Sequence, residues 1–289
     1  LLLFALVFVL VSILVQKIVI NGIYRVNSSL EKITCGNLEE KVQVTNTDEF
    51  KALSEGINAT VAALKNAIKE TAARIDAELK FAHAIQVSGL PEPNPVFPEQ
   101  VPFTLAASMK TAREVGGDFY DYLLIDEDHL WFMVADVSGK GIPAALFMMT
   151  SKTLLHNLAE KGLPPKDIFQ QGNREICARN EAGMFVTAWM GILELSSGRL
   201  ECANAGHNPP LLLHADGSSE FLRIPPGLVL GGMETSKYRG NTLFLKAGER
   251  IILYTDGVTE AQNPSGDFFA EERMQQTMLN QNRSKVTLQ

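Results

Sequence analysis

The chain has 289 residues, 46% hydrophobic and 20% charged, with a formal net charge of −7; that suits one sizeable domain with a real core plus smaller modules. The acidity, with no Lys/Arg cluster to offset it, argues against a nucleic-acid partner, because phosphate binding draws on grouped cations. Cys35, Cys177 and Cys202 are odd in number, far apart and form no C-x-x-C pair, which argues against a disulfide framework and suits a reducing compartment.

The sequence begins at Leu1, not Met, and Leu1 to Val15 is apolar except for Ser12. As a helix that run is ~22 Å long, short of the ~30 Å of a bilayer core. It reads as the C-terminal part of a transmembrane helix whose beginning is absent. A signal peptide would need a basic start and a small-residue cleavage site, and neither is visible. Lys17, Arg25 and Lys32 follow closely, which places the rest of the chain on the cytoplasmic side of the cell (inner) membrane.

A shorter helical stretch comes next, then Cys35-Gly36-Asn37-Leu38 and an extended piece from Lys41 to Thr45. Thr47 before Asp48-Glu49 is a helix start. From there apolar residues fall at Phe50, Leu53, Ile57, Val61, Leu64, Ile68, Ile75, Leu79, Ala82 and Ile85. Steps of mostly three and four are the heptad seam of a parallel coiled coil, so a homodimer is expected. Helix, connector and helix directly after a membrane span resemble a HAMP linker, the signal-transducing module of bacterial receptors. Gly36-Asn37-Leu38-Glu39 and Asp48-Glu49-Phe50 are similar to its connector and second-helix start. A plain dimeric stalk predicts the same dimer. Pro91, Pro93, Pro95 and Pro98 end the helix, because proline lacks the amide donor and clashes with the preceding turn, and they mark the domain boundary.

Beyond Pro102 the periodicity changes. Gly117 to Ile125 and His129 to Val137 read as strands joined by an Asp126-Glu127-Asp128 turn. Ile142 to Leu158 reads as a helix, and a second runs from Pro164 or Pro165 to about Asn180. Strands follow at Phe185–Leu195, Arg199–Asn204, Pro210–His214, Ser219–Ile224, Asn241–Lys246 and Glu249–Tyr254, and a helix near Glu271 to Leu279. Hairpin-linked strands with clumped helices predict an α+β layered domain, not a doubly wound parallel sheet.

Two apolar strands run into acids: Leu130–Ala135 into Asp136, and Ile251–Thr255 into Asp256-Gly257. A carboxylate at the tip of a buried strand is costly unless compensated, and a hard divalent cation with oxygen ligands compensates it. A third acid, Asp118, follows Gly116-Gly117, where bare backbone permits close approach. Asp121 lies three residues further along the same strand and so points to the opposite face. After Asp136, Val137-Ser138-Gly139-Lys140-Gly141 leads into a helix, a strand-turn-helix arrangement that cradles phosphate with backbone amides. Val134 stands where a P-loop needs its first Gly, which excludes a nucleotide-triphosphate loop. Lys140 reads equally as a phosphate contact or a solvated surface cation. There is no Cys-x5-Arg and no His-Glu-x-x-His. His207, in Asn204-Ala205-Gly206-His207-Asn208-Pro209-Pro210, reads either as structural or supporting the site from behind its ligands, or as a residue on the rim of the site.

Gly116-Gly117-Asp118-Phe119-Tyr120-Asp121, Asp136-Val137-Ser138-Gly139-Lys140-Gly141, Asn204-Ala205-Gly206-His207-Asn208-Pro209 and Thr255-Asp256-Gly257-Val258-Thr259-Glu260 occur in this order. Together they resemble the SpoIIE/RsbU family of bacterial metal-dependent (PPM-type) serine/threonine phosphatases, over about residues 80 to 285. The resemblance implies an α-β-β-α sandwich holding two Mn²⁺ or Mg²⁺ ions, with Asp136 bridging both, Asp118 and the Val137 carbonyl on one, and Asp256 on the other. It also implies attack of metal-activated water on phosphorus, and a substrate such as a phosphorylated STAS-domain anti-anti-sigma factor. Two departures stand out. The family carries a further Asp in a final strand, whereas the sequence runs out at Lys285-Val286-Thr287-Leu288-Gln289, which suggests an incomplete second metal site or a missing C-terminal end. The wider superfamily places a phosphate-gripping Arg before the first acid; Glu114 stands roughly there, and Arg113 is not matched to that role.

The chain thus reads as 1–20 transmembrane helix, 21–70 HAMP-like linker, 71–98 coiled-coil or helical linker, and 99–289 phosphatase domain. It would be a receptor-like phosphatase in which helix rotation repositions the Gly139–Leu158 region. A catalytically inactive module that captures a phosphoprotein is the alternative; a metal-dependent nucleotide hydrolase lacks a recognition motif.

Overall fold

The computed structural model describes residues 2–95, 97, 102–111 and 114–283. Pro98, Arg113 and the Lys285–Gln289 stretch lie outside the described residues. The chain divides into two compact units, Leu1–Glu78 and Leu79–Gln289.

In the first unit, helix α1 (Leu2–Val15) passes through a π-helical turn (Gln16–Ile20) into α2 (Asn21–Thr34). The run of 33 residues from Leu2 to Thr34 is long and apolar enough to cross a membrane, so the helix does not stop where the purely apolar stretch does. It ends at Gly36, whose φ of 96° is a left-handed conformation that glycine adopts without penalty. Asn37 N–H reaches Lys32 O and Gly36 N–H reaches Ile33 O, both at 3.0 Å, the paired bonds of a Schellman cap. The following extended segment buries Val42 and Val44 with Val26 of α2. Among the described residues it has no strand partner, and side chains of helix α3 (Asp48–Ser88) take that role. Asn58 accepts from Val42 N–H and donates to Val42 O, both at 2.9 Å. Ser54 does the same for Val44 at 3.2 and 3.0 Å. Leu53, Leu64, Ile68, Ile75 and Ile85 along α3 are exposed.

In the second unit, β1 (Phe119–Leu124), β2 (His129–Val137), β3 (Val186–Glu194), β4 (Arg199–Ala205) and β7 (Asn241–Phe244) form one antiparallel sheet in that order. Strands β6 (Ser219–Phe221), β5 (Leu211–Leu213) and β8 (Arg250–Ile252) form a second. Alternation along β2 decides the layers. Trp131, Met133, Ala135 and Val137 share a core with Ala144, Met148, Leu155 and Leu158 of α4 (Ile142–Ala159) and Ile168 and Phe169 of α5 (Pro165–Cys177). Phe132, on the other face, joins Trp189, Leu200, Leu243 and Ile251, which fill the space between the sheets. The outer face of the smaller sheet, Leu211, Leu213 and Ile252, packs on Met274 and Met278 of α7 (Ala270–Arg283). The result is the expected α-β-β-α sandwich, with every predicted strand present and the later ones shorter.

The end of α3 is tied to β1 by side chains. Gln86 donates to Gly116 O at 2.6 Å and accepts from Gly116 N–H at 3.2 Å. The Tyr120 and Tyr122 hydroxyls donate to the Pro91 and Glu92 carbonyls at 3.0 and 2.7 Å.

Candidate active site

Phe119 pairs with Ala135 across the β1–β2 ladder, so the residue before Phe119 and the residue after Ala135 come side by side on the opposite face. They are Asp118 and Asp136. Gly117 permits the approach: a Cβ there would sit 2.7 Å from Val137 O, inside van der Waals contact, so the glycine leaves that carbonyl uncovered. Asp256 arrives from the other sheet. It does not sit at a strand tip as expected, because β8 ends at Ile252 and Asp256 opens a short helix, α6 (Asp256–Thr259). The intervening segment leaves the ladder to bond elsewhere. Thr255 Oγ1 donates to Asp118 Oδ2 at 2.7 Å, which joins the two sheets at this end of the sandwich.

Three carboxylates in one corner cannot all ionise cheaply. Burial pushes the Asp136 carboxyl up to about 8, reinforced by its hydrogen bond with Asp118 and by the charges of Asp118 and Asp256; the Val137 N–H works in the other direction. The direction is that of a carboxylate whose negative charge is poorly compensated by the protein alone. Among the described residues no three His, Cys, Asp or Glu side chains are drawn together as a ready ion cage. Oxygen donors under mutual repulsion, beside an uncovered carbonyl, nonetheless fit a hard divalent cation.

Asp121 is separated from this corner, as strand alternation required. It pairs with Met133 on the helix-covered face, where Lys152 Nζ lies 3.1 Å and His156 Nδ1 2.8 Å from its Oδ2. Gly139 (φ 91°) and Gly141 (φ 78°) shape the turn into α4. Ser138 anchors that turn by accepting from Phe185 N–H at 2.9 Å. Lys140 is exposed on it.

His207 lies outside the carboxylate corner and is 7% exposed. Its Nε2 is 3.1 Å from Tyr254 O. A carbonyl only accepts, so Nε2 carries the proton, and Nδ1 accepts from the Thr187 hydroxyl at 2.8 Å. Burial pushes this imidazole down to about 4, so it is neutral near pH 7. Both ring nitrogens of His207 are thus engaged by protein groups. Thr187, Thr255 and Gln86 were not legible as site neighbours. Asp121 left a signal: a buried acid needs a partner, and Lys152 and His156 are four apart on the helix that covers it.

The family described as Stage II sporulation protein E (SpoIIE) matches residues 126–288. The chain is 27% identical to Protein IcfG of Synechocystis sp., over 86% of this chain and 44% of that protein. It is 30% identical to the phosphoserine phosphatase RsbU of Bacillus subtilis, over 58% of this chain and 50% of that one. It spans about half the length of these curated relatives. Among solved structures, the SiaA-PP2C domain of Pseudomonas aeruginosa superposes with a TM-score of 0.59 at 22% identity, covering 73% of this chain and 84% of that one, which shows a shared fold.

Proposed function

The chain belongs to the SpoIIE family, and on that premise we propose that it is a divalent-metal-dependent protein serine/threonine phosphatase in bacterial signal transduction. The observation that carries this is the corner where Asp118 lies beside Asp136 across the β1–β2 ladder and Thr255, next to Asp256, donates to Asp118. Asp118, Asp136, the Val137 carbonyl and Asp256 would hold two Mn²⁺ or Mg²⁺ ions. When bound, such ions acidify a water molecule and offset charge on the phosphoryl oxygens. The chain's own part would be to offer the Asp136 carboxylate, to aim Asp118 through the Thr255 hydroxyl, and to present Lys140 and the Gly139 turn to the phosphate. The net reaction adds water to phosphorus and releases the serine or threonine hydroxyl. A phosphorylated STAS-domain regulator is the substrate class proposed, in keeping with the relative named a phosphoserine phosphatase.

Hydrolysis of p-nitrophenyl phosphate by the chain in detergent micelles is expected to require Mn²⁺ or Mg²⁺ and to stop with a chelator. A folded protein with no turnover on this ester or on a phosphorylated STAS domain would instead favour a phosphoprotein-capturing module.

The N-terminal unit is proposed to be a membrane-anchored, HAMP-like input whose cytoplasmic helix α3 pairs with a second copy. The exposed seam of Leu53, Leu64, Ile68 and Ile75 supports this, since apolar side chains at heptad spacing are stabilised by burial against a partner helix. Leu64→Asp with Ile68→Asp is expected to convert a cross-linkable dimer into monomer; undiminished cross-linking would refute the pairing.

A further inference from the structure

We propose that His207 is a positioning residue that holds the Asp136 strand and the Asp256 segment at a set separation, so that Asp136 and Asp256 face one divalent-cation site. The inference rests on the metal-phosphatase reading for what the separation serves, and on geometry for the bridge itself. One ring nitrogen is bonded to Tyr254 O, two residues before Asp256. The other is bonded to Thr187, which pairs directly with Asp136 across the β2–β3 ladder and whose hydroxyl also lies 3.4 Å from the Asp136 carbonyl. One rigid imidazole therefore spans from the larger sheet to the segment that leaves the smaller one.

The surrounding motif holds the ring still. Asn204 donates to His207 O at 2.9 Å and accepts from His207 N–H at 2.7 Å. Gly206 turns the chain with φ 74°, and a Cβ there would press to 2.9 Å of Val229 Cγ1. The Asn204 carbonyl accepts from Gly227 N–H at 2.8 Å. Ala188 of β3 forms a parallel bridge with Gly206. The Asn-Ala-Gly-His turn is thus a fixed mount, and its one functional group with two bonds to acid-bearing segments is the imidazole. Outer partners of this kind orient ligands and change metal affinity by about 10–100-fold when removed.

The test uses the whole chain in detergent micelles. His207→Phe keeps the ring bulk and removes both bonds; His207→Gln keeps a donor near the Nε2 position. Mn²⁺ affinity is measured by calorimetry without substrate, and hydrogen exchange of residues 254–258 is measured on metal-free protein. In H207F the Mn²⁺ dissociation constant is expected to rise about 10-fold, and exchange at 254–258 to accelerate while the Trp131–Met133 amides stay protected. H207Q should recover most of both losses. Turnover of p-nitrophenyl phosphate should fall through kcat with KM little changed. A folded H207F with both Mn²⁺ affinity and local exchange at wild-type levels overturns the proposal. So does an H207Q as impaired as H207F, because the Tyr254 bond would then not be the working part. If H207F does not fold, Thr187→Val, which cuts the Nδ1 bond alone, takes its place; unchanged affinity and exchange in T187V overturn the bridge. Should the wild-type chain bind no Mn²⁺, the metal reading falls, and the exchange comparison alone decides whether His207 ties the two segments.

Discussion

Asp136→Asn is expected to abolish metal-dependent hydrolysis and yet to raise the melting temperature of the metal-free protein at pH 8. The loss of turnover should be at least ~10³-fold, since the variant removes a charge that the reaction's cation depends on. The stability change has the other sign because of where Asp136 sits. In the folded chain its carboxyl titrates at about 8, against an ordinary value of 3.8. The folded state therefore binds more protons than the unfolded state across that window. By linkage, stability is fully present below the lower value and is lost as pH rises towards the upper one. Asparagine cannot ionise and escapes that loss, so the gap between variant and wild type should open from about pH 4 to pH 8. Mn²⁺ should reverse the order, because it binds and stabilises only the wild-type folded state. Thermal melts at pH 5 and pH 8, each with and without Mn²⁺, check all of this. A metal-free D136N that melts below wild type at pH 8 would show that the carboxylates do not repel as described.

Lys152→Met is expected to destabilise the second unit strongly. Asp121 is 2% exposed and Lys152 9%, and their ion pair at 3.1 Å joins β1 to α4 beneath the sheet. Removing one partner strands a buried charge, which costs about 3 kcal/mol or more. The low end applies here, because His156 still meets the same Asp121 oxygen at 2.8 Å. Asp121→Asn combined with K152M removes both charges and should recover most of the loss, as replaced buried pairs often do. Trp131 and Trp189 are both fully buried in this unit, so urea unfolding followed by tryptophan fluorescence reads it directly. A K152M midpoint indistinguishable from wild type would mean that the buried pair contributes nothing net. Because β1 follows Asp118 directly, the same variant is also expected to weaken Mn²⁺ binding.

These effects explain which parts of the chain its sequence could disclose. Strand and helix limits were readable wherever one face is buried and one is not. The apolar run of Leu130 to Ala135 predicted β2, a strand covered on both faces, and the two-residue parity of a strand fixed which residues share a face. The same parity separated Asp118 from Asp121 before any contact was known. Glycines announced the close approach at Gly117 and the turns at Gly139, Gly141 and Gly206, because only glycine tolerates those conformations or distances. The apolar N-terminal run, the heptad seam and the proline-rich end of α3 were likewise periodic or compositional signals. The four motifs together were enough to point to the family.

What the tertiary structure alone decided are the pairings between segments far apart in the chain. Thr255 reaches Asp118 across 137 positions and His207 reaches Tyr254 across 47, and no local pattern encodes either meeting. The end of β8 was misjudged for that reason: Tyr254 is apolar and strand-like by propensity, but its carbonyl is taken by His207 and the ladder stops at Ile252. The two helical stretches read before Cys35 proved to run on without a break from Leu2 to Thr34, and the Gly36 cap ends them. Local sequence determined which residues are acidic, where the strands run and which face each side chain takes. Long-range packing decided that Asp118 lies beside Asp136 with Thr255, the neighbour of Asp256, bonded to it, and that one imidazole bonds to both Thr187 and Tyr254.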